Sequence, residues 1–296
     1  MEQKTIYALG FFDGVHLGHL ALLQECRRLA DLHQCKTGVI TFTAHPDGLV
    51  LGKAPMLLNS NEDRANILHA YGMETVKELP FDRTLMTTHW SSFLTQLTNC
   101  DAAGFVCGSD FRFGAGGVGT AKKLAAFCEK RAIPYSIVPE QTLDGVRISS
   151  TYIRTLLEQG NMDEAIRFLG HPHILSGKVV PGKQLGRTIG IPTANLLLPE
   201  GVICPHHGVY ATTCHVNGET YQAVTNVGTR PTVNGQSITV ESFLLDFQGE
   251  LYGKSLIVAF HAFLRPEKKF DSLDALQAAI RENEQQTRAF FAGKPL

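Results

Sequence analysis

The chain has 296 residues, 44% hydrophobic and 19% charged, with a net charge of −1. That length allows two domains with real cores, and the near-neutral balance argues against nucleic acid or an anionic membrane surface as the main partner. Seven cysteines with no C-x-x-C pair, mostly inside apolar segments, fit buried thiols rather than a disulfide or zinc framework, and with no signal-like start and no run of membrane length they predict a cytoplasmic protein.

In the first half, apolar runs (TIYALG, KTGVITF, ETVKELP, AAGFVCG, YSIVP) alternate with other stretches such as LALLQECRRLADLH, NEDRANILHAYG and AKKLAAFCEKRA. The latter repeat apolar residues at i, i+3, i+4 and i+7, so the spacing predicts βαβ units and a mostly parallel sheet. Ser60 and Asn61 before Glu62 and Asp63 mark a helix start, and Gly72 a stop. After ISSTYIRTLLEQG and DEAIRFLG the pattern changes near GHPHILSG. Short strands follow (GVYATTCHV, ETYQAVTNV, ITVESFLLDF, KSLIVAFHAF), with Asn217-Gly218 and Asn234-Gly235 as hairpin signals, and then one amphipathic helix, SLDALQAAIRENEQQTRAFF. This half reads as an antiparallel barrel or sandwich with a C-terminal helix. The expected domains are 1–172 and 173–296. His171, His173, His206 and His207 read as solvated turn residues.

The stretch Gly10–His19, GFFDGVHLGH, leaves the first predicted strand and enters a helix. His16 and His19 have no cysteine or acidic cluster beside them apart from Asp13, which speaks against a zinc helix. A phosphate grip fits better: Gly18 lets the backbone approach, the helix start offers N–H groups, and two imidazoles can donate to phosphoryl oxygens. A solvated first turn is the plain alternative. In RISSTYIR, Ser149, Ser150 and Thr151 offer hydroxyls at a helix cap between Arg147 and Arg154, a set suited to a triphosphate, with an ordinary capped helix as the alternative. GAGGVG, Gly114–Gly119, matches a dinucleotide fingerprint with Glu140 about twenty residues on. SDFRF separates it from its strand, so a flexible glycine loop over the site is the preferred reading. In the second half, GKVVPGKQLGRTIGIPTANL combines Gly182, Gly186, Lys183 and Arg187 with Thr193 and Asn195 on one face of an extended segment. Glycines with basic side chains can wrap phosphates, and a hydroxyl with an amide oxygen suits Mg²⁺. A polar turn is again the alternative.

GFFDGVHLGH and ISSTYIR, with TFTAHP and GSDFRFG, closely resemble the nucleotidyltransferase half of the bacterial bifunctional riboflavin kinase/FAD synthetases, while GRTIGIPTAN, TNVGTRPT and VESFLLDF resemble the kinase module. The resemblance implies a Rossmann-like α/β domain followed by a small antiparallel β-barrel with a C-terminal helix. It implies phosphorylation of riboflavin to FMN, then adenylylation of FMN to FAD with release of pyrophosphate. Catalytic roles would fall to Glu241 (the kinase base), His16, His19 and Arg147. ATP and its phosphates would be held by Gly10, Asp13, Gly18, Ser150, Thr151, Arg154, Gly182, Gly186 and Arg187. Flavin contacts would come from Asp110, Phe111, Arg230 and Arg288, and Mg²⁺ contacts from Thr193 and Asn195. The implied partners are riboflavin, FMN and ATP, with no nucleic acid and no membrane, and a homo-oligomer is compatible with the reading. The chain departs from the family pattern at Leu20, Ala44, Asn283 and Thr287. A flavin-binding regulatory protein with one or both activities lost is the alternative.

Overall fold

The computed structural model describes residues 4–182, 191–232 and 235–294, without the side chains of 230–237. The chain divides into two compact units, Met1–Leu57 with Arg64–Ser150, and Leu58–Asp63 with Thr151–Leu296.

The first unit is built on β1 (Thr5–Leu9), β2 (Lys36–Phe42), β3 (Thr75–Leu79), β4 (Ala102–Gly108) and, after the short β5 (Arg112–Phe113) and β6 (Gly119–Thr120), β7 (Tyr135–Val138). The five long strands form one parallel sheet in the order β3-β2-β1-β4-β7. Helices cover both faces, which is why β1 reads as an unbroken apolar run. On one face α1 (Leu17–His33) packs Leu23, Cys26 and Leu29 onto Ile6, Ala8, Val39 and Val106. The other face carries two helices: the sequence predicts α6 (Ala121–Glu129), while α5 (Trp90–Cys100) is an addition to its pattern, although Trp90, Phe93, Leu94 and Leu97 keep helical spacing. Phe105 is fully buried between these helices and the sheet, so its truncation to alanine removes about 3–5 kcal/mol. Strand order reverses between β1 and β4, the switch point beyond whose strand ends open α/β sheets bind their ligands.

The glycines of GAGGVG do not open a helix from a strand. They close the β5–β6 hairpin, where Gly114 and Gly119 pack against Trp90, so a packed hairpin stands where the sequence suggested a flexible loop.

In the second unit β10 (His173–Val180), β11 (Ala194–Leu197), β12 (Gly208–Val216), β13 (Glu219–Thr232), β14 (Gly235–Leu244) and β15 (Ser255–Arg265) close an antiparallel barrel in the order β10-β11-β14-β13-β12-β15. Closure leaves no unpaired edge. Asn217 and Gly218, at φ 55° and 84°, make the left-handed turn between β12 and β13, as their pairing predicts. Asn234 lies outside the described residues. Inside the barrel Thr212, Thr225 and Ser242 satisfy one another through hydroxyl contacts of 2.7 and 2.8 Å. The C-terminal helix α9 (Leu273–Phe291) starts at Ser272, whose hydroxyl accepts from the Ala275 amide. Residues 58–63 also belong to this unit: Asp63, almost fully buried, accepts from Ser60 and from Ser176 of β10.

All seven cysteines are free; Cys26, Cys107, Cys128 and Cys214 are buried, while Cys100 at the end of α5 is exposed. His206 is exposed as expected, but His173 is only 1% exposed, because alternation along β10 turns it inward against Phe260. Burial pushes the His173 imidazole down to about 3 and His261 down to about 4. Below about pH 6.5 the unfolded chain therefore binds protons that the folded barrel refuses. Stability falls as pH falls, by up to ~1.4 kcal/mol per pH unit for each group until its folded value is reached. Denaturant unfolding at pH 7 and pH 5 should show a smaller acid loss for His173→Gln than for the parent; equal losses would mean that His173 is not held neutral in the barrel.

Candidate functional site

The turn after β1 carries the first candidate site. Phe12, Gly14 and Val15 have positive φ (59°, 79° and 40°), strained for a bulky and a β-branched residue. The surrounding fold holds them there. Thr41 Oγ1 donates to the Phe11 carbonyl at 2.8 Å and Ser150 Oγ to the Asp13 carbonyl at 2.9 Å, while the Phe12 side chain is buried in the core. The turn delivers His16 as N-cap of α1, where its Nδ1 accepts from the His19 amide at 3.3 Å. An accepting Nδ1 leaves Nε2–H as the donor. The two imidazoles stack, with centroids 3.7 Å apart and planes 10° from parallel. Gly18 makes room: a Cβ there would sit 3.2 Å from the His16 ring. His19 Nδ1 is buried and has no hydrogen-bond partner among the described residues. Burial, then His16, then Arg64 hold the His19 imidazole well below its ordinary range, so the pair does not carry two positive charges.

On the other side of the switch point, β4 ends at Gly108 and leads to Asp110 and Phe111. Phe111 stacks on Phe113 at 5.4 Å. Arg147 Nη2 contacts Asp110 Oδ2 at 2.6 Å and Glu140 Oε1 at 2.9 Å. Arg147 reaches them from a hairpin, β8 (Thr142–Leu143) and β9 (Val146–Arg147), turned by Asp144-Gly145; sequence analysis missed it, although Asp-Gly is itself a hairpin signal. The predicted residues Gly10, Asp13, His16, Gly18, His19, Asp110, Phe111, Arg147 and Ser150 thus all lie in the first unit. Ser150 opens α7 (Ser150–Glu158), on which Arg154 Nη2 donates to Thr151 Oγ1 at 3.2 Å.

In the barrel, Thr193 and Phe243 line two cavities. One, of about 420 Å³, is lined also by Gly182, Asn195, Asp246 and Tyr252. The other, of about 260 Å³, is lined also by Glu241, Asn226, Arg265, Phe270 and Asn283. Register explains the grouping, since Glu241 on β14 pairs with Asn195 of β11 on one side and with Asn226 of β13 on the other. Gly182 approaches so closely that a Cβ would lie 2.3 Å from Asn195 Nδ2. Arg288 forks onto Asp246 at 2.8 and 2.9 Å and also binds Glu284, so the structure places it beside the larger cavity's rim carboxylate. Asn283, nearly fully buried, accepts from Arg265 Nε at 3.1 Å, a contact that sequence analysis did not foresee. Lys183, Gly186 and Arg187, and the Arg230 side chain, lie outside the described residues.

The FAD synthetase family model matches residues 1–152 and the riboflavin kinase family model residues 169–291. The bifunctional riboflavin kinase/FMN adenylyltransferase of Listeria monocytogenes is 35% identical over 98% of this chain and 94% of its own length. The chain belongs to this family of bifunctional riboflavin kinase/FMN adenylyltransferases. The Escherichia coli relative of the same name is 38% identical with the same coverage. A crystal structure named as a macrolide-efflux protein from Streptococcus pneumoniae shares the fold, with a TM-score of 0.86, 30% identity, and coverage of 97% of this chain and 95% of that one. Among the described residues here, no helix is long and apolar enough to cross a membrane. A riboflavin kinase/FMN adenylyltransferase needs two nucleotide sites, and the chain offers one cluster in each unit.

The closeness of Gly182 to Asn195 gives a direct check. Gly182→Ala should raise the KM for ATP in FMN formation by at least about tenfold, since the added carbon displaces the amide, while FAD formation from FMN stays as in the parent. Unchanged kinetics in both reactions would show that this contact plays no part in nucleotide binding.

Proposed function

We propose that the barrel makes FMN from riboflavin and the α/β unit makes FAD from FMN, both with ATP, and that the family roles fall on the residues above. In this reading the functional domains divide near residue 172. The observation that carries the kinase assignment is the pair of cavities sharing Thr193 and Phe243, with Glu241 on the wall of the smaller one. The larger takes ATP and the smaller the flavin. Glu241 accepts the proton of the ribityl 5′-hydroxyl as that oxygen bonds to the γ-phosphorus and the bridge to ADP breaks.

Thr193 and Asn195 offer the hard oxygen donors that Mg²⁺ requires, and the glycine beside Asn195 keeps that edge open, so the residues fit the ion. When bound it neutralises phosphate charge during transfer. The other work falls on the chain itself: Gly182 brings backbone to the phosphates, and Asn195 and Asn226 flank the base.

In the α/β unit an FMN phosphate oxygen attacks the α-phosphorus of ATP and pyrophosphate leaves. FMN's phosphate is already anionic at neutral pH, so no general base is required. His16 and His19 donate to the triphosphate, and Arg147 exchanges Asp110 and Glu140 for phosphate oxygens as charge moves onto the leaving group. Ser150 fixes the turn; Thr151 and Arg154 follow it on α7 as further phosphate ligands. Phe111 and Asp110 border the flavin. Use of ATP and seven free thiols support a cytoplasmic location.

Chromatography of riboflavin with Mg²⁺-ATP and the protein should show FMN and then FAD. Glu241→Gln should lower FMN formation by about 10³-fold or more and leave FAD formation from supplied FMN intact; retained kinase activity would remove Glu241 as the base. His19→Ala should invert that pattern, lowering FAD formation about 10²-fold, and equal loss of both reactions would overturn the division of labour between units.

A further inference from the structure

Arg64 lies on α3 (Asn61–Ala70), in a segment whose sequence assigns it no role beyond a helix start. Its side chain is only 1% exposed. Nη2 donates to the Phe42 carbonyl at 2.7 Å and to Glu78 Oε1 at 3.0 Å, and Cζ lies 4.6 Å from the centroid of the Phe11 ring. These contacts tie together the carboxyl end of β2, β3 and the turn that delivers His16. Burying a guanidinium is expensive unless its charge is used or matched. Glu78, one of its carboxylate partners, is 29% exposed, and Asp13 of the turn also acts on the guanidinium. The guanidinium charge in turn acts on His19.

We propose that Arg64 is a positioning residue for adenylyl transfer: it clamps Phe11 from behind and supplies a fixed positive charge that prepares the stacked imidazoles for the polyphosphate of ATP. The inference rests on reading His16 and His19 as the triphosphate grip. A buried arginine suits this task because its charge is permanent and its Nη2 is held by two acceptors, so the charge is already in place when the anion arrives. The groups that act on His19 are His16 from the cap of α1 and Arg64 from α3, while Glu78 from β3 and Asp13 from the turn act on Arg64. Removing Arg64 deletes one cause that depresses the His19 imidazole, which moves its titration upward, toward the ordinary range.

The test uses the full chain, with riboflavin kinase activity as an internal control for folding. Arg64→Met keeps the length of the side chain and removes its charge, a replacement that buried ion pairs commonly tolerate. In FAD formation it should raise the KM for ATP by about tenfold with a smaller change in kcat, and Arg64→Lys should recover most of that loss. The His19 imidazole, assigned by difference from His19→Ala and followed by proton NMR, should titrate higher in Arg64→Met and near the parent value in Arg64→Lys. An unchanged KM for ATP, or equal loss in both variants with His19 titrating as in the parent, would overturn the proposal and leave Arg64 a structural ion pair. If Arg64→Met fails to fold, Glu78→Gln decides: with the cation kept and its carboxylate gone, the KM for ATP should stay level or fall, and a rise would refute the idea. Failure of the grip reading looks different, since His19→Ala itself would then leave FAD formation unaffected.

Discussion

Two imidazole rings 3.7 Å apart can share a helix terminus only while at least one is uncharged. Much of the first unit serves that constraint. His16 spends its Nδ1 on a backbone amide, Gly18 omits the carbon that would displace the ring, and three positive-φ residues within four positions are held by Thr41, Ser150 and a buried phenylalanine. Strain of this kind, roughly 1–3 kcal/mol per residue, persists only where surrounding contacts determine it. Here strand β2, the start of α7 and the core supply those contacts. The outcome is a preorganised pair of imidazoles with the Arg64 charge acting on it, suited to a ligand that brings its own negative charge.

The barrel solves a different problem with different means. Its two cavities share Thr193 and Phe243, so the segment before β11 and strand β14 each line both. Antiparallel register then puts Glu241 between two asparagines on neighbouring strands. Closure of the sheet keeps these positions rigid, because each strand is paired on both sides.

Strands and helices were legible in the sequence where the apolar period was clean, as in β1, α1 and the barrel strands. The histidine turn was legible because glycines, an aspartate and two imidazoles have few other reasons to follow a buried strand. What escaped was chemistry made by long-range contact. Arg64 reads as a polar residue in a helix start, and only the packing of α3 against β2 and β3 shows it buried. Arg147 and Asp110 each stood out, but their ion pair depends on a hairpin folding back beside β4. Arg288 could not be linked to Asp246 from spacing alone, since they are 42 positions apart. His173 looked like a linker histidine because its inward direction is fixed only by the phase of β10.

The short segment Leu58–Asp63 has an implication for how such a protein could come apart. Six residues from the amino-terminal half complete the carboxyl-terminal unit, and Asp63 provides the acceptor for a serine on the first barrel strand. A gene split after residue 150 would hand the barrel over with that hydroxyl stripped of its carboxylate and a sequestered patch laid open to water. A barrel cut out for separate expression would have to bring those six residues along to keep that acceptor.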